Sequence, residues 1–232
     1  MILTALAMAF ITTLVVANII AIKLFSFSVP IIPDDWLIDN VWVLPVSSFT
    51  YPITFLITDT LSELYGRRTT TRIVWIGFGC SILMLAMIYF GKIIPGADFW
   101  VAGGGQDSYD AILGSVPRIV AGSMVAYLVS QNFDVFAFHF WRRKTDGRHL
   151  WFRNNASTMM SQGIDTALFI TIAFAGTVPG NVLATMLIGQ YLVKVGLAAL
   201  DTPVVYALIA VIRRYAGDDP EWGRPTPGLT QA

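Results

Sequence analysis

Residues 51–66 read YPITFLITDTLSELYG. The run is apolar enough to cross a membrane as a helix, yet it carries Asp59 and Glu63 where lipid-facing side chains are expected. An ionised carboxylate near the bilayer centre costs about 2.5–3.5 kcal/mol even on the lenient insertion scale. Such a cost persists only where the group meets a partner, a cavity or a substrate. The stretch therefore marks both a span and a candidate site.

The remainder of the chain supports the reading as a span. Of 232 residues, 55% are hydrophobic and 13% charged, with a mean hydropathy of +0.64, against about 25% charged in soluble domains. This composition is that of an integral membrane protein. A formal net charge of zero supplies no field that gathers nucleic acid, and no nucleic-acid partner is expected. The single cysteine, Cys80, lies in an apolar run and reads as a small core hydrophobe. The start MILTALAMAF has no basic leader and no small-residue cleavage pattern, and reads as a retained helix.

About 20 apolar residues span a bilayer. Six segments qualify, 2–22, 46–65, 71–91, 117–136, 156–176 and 182–212, and predict an all-α integral membrane protein built as a six-transmembrane-helix bundle. The second is the least hydrophobic and opens near Pro45 and Pro52. The fourth starts at Pro117, a favoured first-turn position, and the sixth is long enough to tilt, or to break near Pro203. Residues 1–214 are expected to form one transmembrane domain and 215–232 a disordered cytoplasmic tail, polar and rich in proline and glycine.

Charge sorts the loops. Arg67, Arg68 and Arg72 follow span two. Arg142, Arg143, Lys144, Arg148 and Arg153 follow span four, and Arg213 and Arg214 follow span six. Asp34, Asp35, Asp39, Asp98, Asp107 and Asp110 occupy the alternate loops, with Lys92 the exception. The positive-inside rule then places both termini in the cytoplasm. The segment PGADFWVAGGGQDSYD at 95–110 has no strand–helix context for a phosphate cradle and is expected to be a flexible external loop. Trp36, Trp42, Trp100, Trp141 and Trp151 fall at span ends, as an aromatic belt requires.

Helical spacing gathers the polar residues onto faces. Span two presents Thr54, Thr58 and Ser62, with Asp59 and Glu63 beside them. Span four presents Ser123, Tyr127, Gln131 and Asp134. Span five presents Thr158, Ser161, Gln162 and Asp165, span six Gln190, Lys194 and Asp201, and span one adds Asn18. Depth along the spans puts Asp59, Asp165, Lys194 and Asp201 in the central third. Glu63 falls toward the cytoplasm, where Arg67 is expected to pair with it at i+4. Arg118, at the outer end of span four, either snorkels to the interface or serves the site. A structural Lys–Asp pair accounts for Lys194 and one carboxylate and leaves a surplus of acid, which argues for a substrate or a proton.

Three acids, one lysine and aromatic surroundings suit a neutral ligand rich in hydrogen-bonding groups. A carboxylate accepts two parallel N–H bonds, which matches the edge of a guanine-like base; glutamine and asparagine serve both donors and acceptors. Phe55, Tyr127 or Phe169 offers a ring to stack on. Sugars and amino acids fit nearly as well. The only histidines, His139 and His149, lie at or beyond the inner end of span four without an H-E-x-x-H arrangement, so neither metal nor serine hydrolysis has its residues. No enzyme activity, metal or cofactor is expected.

Taken together, Asn18, YPITFLITD at 51–59, ELYG at 63–66, Arg118 with GSMVAYLVSQNFDV at 122–135, NNASTMMSQGIDT at 154–166 with IAF at 172–174, and YLVKVGLAALDTPVVY at 191–206 resemble the bacterial queuosine precursor transporters, once called vitamin uptake transporters. The resemblance implies an inner-membrane carrier for 7-cyano-7-deazaguanine or 7-aminomethyl-7-deazaguanine. It implies a fold similar to the substrate-binding subunits of energy-coupling-factor transporters, working without the ATPase module, and a homodimer or other homo-oligomer. The family's recurrent polar positions fall on Asn18, Thr58, Asp59, Arg118, Gln131, Ser157, Thr158, Asp165 and Lys194, with Gln162 or Asn155 supplying an amide. The alternative is a binding subunit that needs an ATP-driven partner, for which Ala5 and Ala9 form a small-residue docking pair of a kind common in membrane helices.

Overall fold

The computed structural model describes residues 2–28, 41–144 and 150–216. Nearly all of them are helical. In chain order the elements are α1 (Ile2–Ile20), β1 (Leu24–Ser28), β2 (Val41–Pro45), a 3-10 turn (Val46–Thr50), α2 (Tyr51–Tyr65), α3 (Arg67–Ile93), α4 (Asp98–Ala102), α5 (Gly105–Leu113), α6 (Val116–Lys144), α7 (Leu150–Phe174) and α8 (Gly180–Ala216). Among the described residues four stretches are long and apolar enough to cross a membrane: Ile2–Ile20, Arg67–Ile93, Gly105–Asp134 and Gly180–Leu197. The chain is thus a mostly helical, multi-pass membrane protein.

The other two predicted segments are present as helices, and each falls short for a physical reason. With 15 residues, α2 rises only about 22 Å at 1.5 Å per residue, against a hydrocarbon core of about 30 Å. The five-residue 3-10 turn before it adds about 10 Å. α7 is long enough, at 25 residues, but Ser157, Ser161, Asp165 and Thr166 dilute its apolar character. These polar groups turn toward neighbouring helices. Ser157, Ser161 and Thr166 are buried.

α6 and α7 form an antiparallel hairpin held by one continuous stripe of short-range contacts. Positions 118, 122, 126, 130 and 134 lie four apart on α6, and they meet a matching series on α7. Arg118 Nε donates to the Ile172 carbonyl at 2.6 Å, and its terminal nitrogen donates to the Ala175 carbonyl. A Cβ at Gly122 would stand 3.3 Å from the Phe169 carbonyl oxygen and 3.4 Å from the Ala173 nitrogen. Ser130 Oγ donates to Asp165 at 3.3 Å, and Ser161 Oγ to Asp134 at 3.3 Å. Gly122, Ala126 and Ser130 make a small-residue track that lets the two backbones close together, as helices do inside membranes.

Two apolar cores divide the bundle. One joins Phe10, Ile57, Leu61, Ile73, Val74 and Phe78, from α1, α2 and α3. The other joins Ile119, Ala126, Phe169, Ile170, Ala173, Phe174 and Met186, with Ala21, and belongs chiefly to α6, α7 and α8. The first core is tightened where α1 crosses α3: Asn18 Nδ2 donates to Ser81 Oγ at 3.3 Å, and Ser81 donates to the Gly77 carbonyl at 3.1 Å.

Several expectations are corrected. β1 and β2 form an antiparallel hairpin, pairing Phe27 with Trp42 and Phe25 with Leu44, which the apolar pattern did not predict. Trp42 is not an interfacial residue: it is 5% exposed, and its ring reaches to 3.0 Å from where a Cβ of Gly189 would stand. The 95–110 stretch is no simple loop, because α4 and α5 fill most of it. Tyr109 there donates to the Ile88 carbonyl at 3.0 Å, and Lys92 meets Asp110 at 3.4 Å. α8 runs through Pro203 without a break. Glu63 and Arg67 do not pair. Gly66, at φ 79°, ends α2 between them, so they stand on different helices and no i+4 geometry exists. The tail at 217–232, and Trp36 with the acidic residues 34, 35 and 39, lie outside the described residues.

The α6–α7 stripe predicts a selective sensitivity. Gly122→Val must push Phe169 and Ala173 backbone atoms aside, at a cost of about 1–3 kcal/mol. The exposed Gly79, where an added Cβ meets nothing within 4 Å, accepts alanine freely. Thermal unfolding in detergent, followed by loss of a monodisperse elution peak, should show a lowered midpoint for the first variant alone.

Candidate functional site

An ion pair with a buried lysine and a partly exposed carboxylate joins α7 and α8. Lys194, on α8, is 2% exposed, and its Nζ stands 2.5 Å from Asp165 Oδ2 on α7. Asp165 Oδ1 accepts from Ser130 Oγ of α6 at 3.3 Å. A lysine ammonium at such depth is tolerated only with a counter-ion and further polar contacts, and here a third contribution comes from α2. The Tyr51 ring lies under the ammonium, 4.7 Å from Nζ to its centroid, a cation–π geometry. Tyr51 in turn stacks with Phe55 at 6.1 Å between centroids. Its hydroxyl accepts from Gln190 Nε2 at 2.7 Å. Tyr51 is therefore the residue of the α1–α3 half that touches the polar centre of the α6–α8 half.

Helix geometry explains how these side chains converge. Gln190 and Lys194 are one turn apart on α8 and share a face. Tyr51 sits at the first position of α2, where the 3-10 turn hands over to the α-helix and Pro52 fixes the first turn. Lys194 is fourteen residues from the start of α8, or about 21 Å along its axis, and Asp165 nine residues, about 14 Å, from the end of α7. Both lie deep in the bundle. Around them, three buried side-chain oxygens have no hydrogen-bond partner among the described residues: Gln190 Oε1, Gln162 Oε1 and Thr166 Oγ1. Gln162 is three residues before Asp165, and Thr166 immediately follows it.

Of the residues singled out by sequence, the structure joins Asp165 and Lys194 directly and places Phe55 against Tyr51 beside them. Asn18 is engaged with Ser81 on α3. Arg118 clasps the last carbonyls of α7, where a cation also complements the helix dipole. Tyr127 meets Phe78 edge-on at 5.2 Å, and Phe169 is packed in the second core. Thr58 donates to its own helix, at the Thr54 and Phe55 carbonyls. Thr158 is half-buried, and Ser161 donates to its carbonyl at 3.0 Å. Asp59 and Gln131 are exposed on α2 and α6; Asp59 lies eight residues beyond Tyr51, about 12 Å along α2. The side chains of Asn155 and Asp201 lie outside the described residues. Among the described contacts, the centre joins one carboxylate, Asp165, to one ammonium, Lys194. Sequence reasoning passed over Tyr51, Ser130 and Gln190 as site residues. Only the i, i+4 spacing of Gln190 and Lys194 on one polar face signalled any of them.

Among the described residues the printed contacts of this centre contain no nucleophile–histidine pair. Among the described residues no group of three or more histidine, cysteine or acidic side chains is placed to hold a metal. What it presents is an aromatic face, a carboxylate, an ammonium and amide and hydroxyl acceptors, all between two halves of a helical membrane protein. Sites at such junctions are the usual place for a carrier's substrate.

Comparison with known proteins agrees. Residues 45–208 match the family described as "Putative vitamin uptake transporter". The chain is 34% identical over 161 residues, 68% of its own length and 68% of the relative's, to a protein of Bacillus subtilis (strain 168) named "Probable queuosine precursor transporter". It is 29% identical over 127 residues, 55% of its length and 53% of the relative's, to the "Queuosine precursor transporter" of Escherichia coli (strain K12). No solved structure matches. The matched region runs from the end of β2 through most of α8 and contains every residue of the polar centre, and on that match the chain belongs to the vitamin uptake transporter family, as a membrane transporter and not an enzyme.

Proposed function

We propose that this chain imports queuosine precursors, 7-cyano-7-deazaguanine or 7-aminomethyl-7-deazaguanine, across the bacterial inner membrane for salvage into tRNA. The names of both relatives support the substrate class. The observation that carries it is the Asp165–Lys194 pair, with its lysine buried, beside the Tyr51–Phe55 stack. A 7-deazaguanine is planar, with adjacent N–H donors on its pyrimidine edge and a carbonyl acceptor next to them. Asp165 accepts from the donors, Lys194 donates to the carbonyl, and the aromatic pair takes the ring face. In the protein alone Lys194 and Asp165 satisfy each other, so ligand binding exchanges one set of charge-assisted bonds for another.

In this reading residues 1–214 are one domain of six spans, with the 3-10 turn completing the short second span, and 215–232 are a cytoplasmic tail. Both termini face the cytoplasm, because arginine clusters mark the α2–α3 and α6–α7 connections and the end of α8. The bundle is similar in plan to energy-coupling-factor binding subunits, and the working unit is a homo-oligomer. Asp59, Gln131, Thr58, Thr158 and Gln162 line the route or the site, Tyr127 borders it, and Asn18 and Arg118 hold the helices that frame it.

Four outcomes are expected. In cells unable to make the precursor, the wild-type chain restores queuosine in tRNA when 7-cyano-7-deazaguanine is supplied, and the purified protein takes the base up into liposomes without ATP. Asp165→Asn and Lys194→Met each reduce uptake by at least about tenfold, the worth of one charge-assisted bond; normal uptake by both would sink the site assignment. On stability, Asp165→Asn strands a buried ammonium at a cost of about 3–5 kcal/mol, whereas the double variant Asp165→Asn with Lys194→Met recovers most of it, as read from thermal midpoints in detergent. For topology, alkaline phosphatase fused at residue 103 is active and fused at residue 146 is inactive; the reverse pattern would invert the orientation.

A further inference from the structure

We infer that Gln190 is a selectivity-determining residue of this site, with Oε1 accepting an N–H donor of the bound base on an edge other than the one Asp165 reads, and Tyr51 holding the amide in register. The inference rests on the transport reading above and extends it to a residue that no resemblance singled out. Gln190 is fully buried, at 0% exposure. Its donor end is engaged: Nε2 donates to the Tyr51 hydroxyl at 2.7 Å. Its acceptor end, Oε1, is buried and meets no donor among the described residues.

A structural role explains only half of this side chain. Bracing Tyr51 uses the amide nitrogen and leaves the carbonyl oxygen unsatisfied in a low-dielectric interior, where leucine or methionine would fill the volume without that penalty. With Nε2 donating to the Tyr51 hydroxyl, Oε1 is the end of the amide turned away from it. Gln190 lies one turn before Lys194 on the same face of α8, and Tyr51 touches both. The carboxylate, the ammonium and the ring therefore meet at one polar centre, and Gln190 adjoins it. A ligand that satisfies both carries N–H donors on two separate edges of one planar system. A 7-deazaguanine does so, with the amino and ring N–H groups of the pyrimidine edge and the pyrrole N–H across the ring. Removing a donor from the ligand leaves a buried acceptor unpaired, which discriminates far more sharply than shape alone.

The test is competition against uptake of labelled 7-cyano-7-deazaguanine by the full chain in liposomes. Two competitors are used, one lacking the exocyclic amino group and one methylated at the pyrrole nitrogen. With the wild type the pyrrole-methylated analogue competes at least about tenfold more weakly than the parent base. In Gln190→Met that gap closes to about twofold or less, while the analogue lacking the amino group keeps its standing. In Gln190→Glu, which retains an acceptor, the gap persists. An unchanged gap in Gln190→Met, an equal weakening of every competitor, or no handicap for the pyrrole-methylated analogue with the wild type overturns the inference. Should Gln190→Met not be monodisperse in detergent, Tyr51→Phe is read in its place: it frees the amide, so the gap must narrow, and an unchanged gap overturns the inference. Absence of uptake by the wild type removes the transport reading itself, whereas normal uptake with an unaltered ranking removes only the role of Gln190.

Discussion

A protonated lysine side chain held almost entirely out of solvent constrains everything around it. Lys194 requires a carboxylate at contact distance, and Asp165 supplies it from α7. That carboxylate needs its remaining lone pairs occupied, which draws in Ser130 from α6. The ammonium needs more than one partner, which draws in the ring of Tyr51 from α2. Four helices are tied to one charge. The closeness of α6 and α7, made possible by Gly122, Ala126 and Ser130, is what brings Ser130 within reach of Asp165. Arg118 and Asp134, on the same stripe of α6, extend the pairing above and below.

The division into two apolar cores gives that centre its functional character. Hydrophobic burial holds α1, α2 and α3 to one another, and α6, α7 and α8 to one another. Between the halves Tyr51 accepts from Gln190 and lies under Lys194, while Met124 and Tyr127 of α6 pack against the first core. Apolar burial resists separation strongly, whereas exchangeable hydrogen bonds and a cation–π contact are replaced readily by those of a ligand.

Much of this architecture was legible in the chain. The six apolar segments correspond to the helices α1, α2, α3, α6, α7 and α8, although only four described stretches are long and apolar enough to cross a membrane. Asp165 and Lys194 stood out because a charge inside an apolar run has few explanations. Other features were not legible. β1 and β2 are short, lack a glycine turn signal in the described strands and owe their existence to packing on α8. The helices α4 and α5 hide in a glycine-rich stretch whose composition argues for a loop; tertiary contacts such as Tyr109 to the Ile88 carbonyl override it. The Tyr51–Gln190 bond joins residues 139 apart in sequence, and no local pattern announces a partner so distant. Asp59, conspicuous in the sequence, is exposed on α2. A hydropathy anomaly shows that a residue is costly, not which neighbour offsets the cost.

The β-hairpin carries a consequence for how the protein is made. It emerges between the first and second helices, yet Trp42 and Leu44 seat against Gly189, in the first third of the last one. Those contacts cannot form until the ribosome has released α8 and that helix has entered the bilayer. Until then the hairpin exposes two large apolar side chains and an unpaired strand edge, a state that chaperones and proteases recognise. The N-terminal third of the molecule therefore completes its fold last. A truncation that removes α8 does more than delete a helix: it leaves an early segment permanently unfinished.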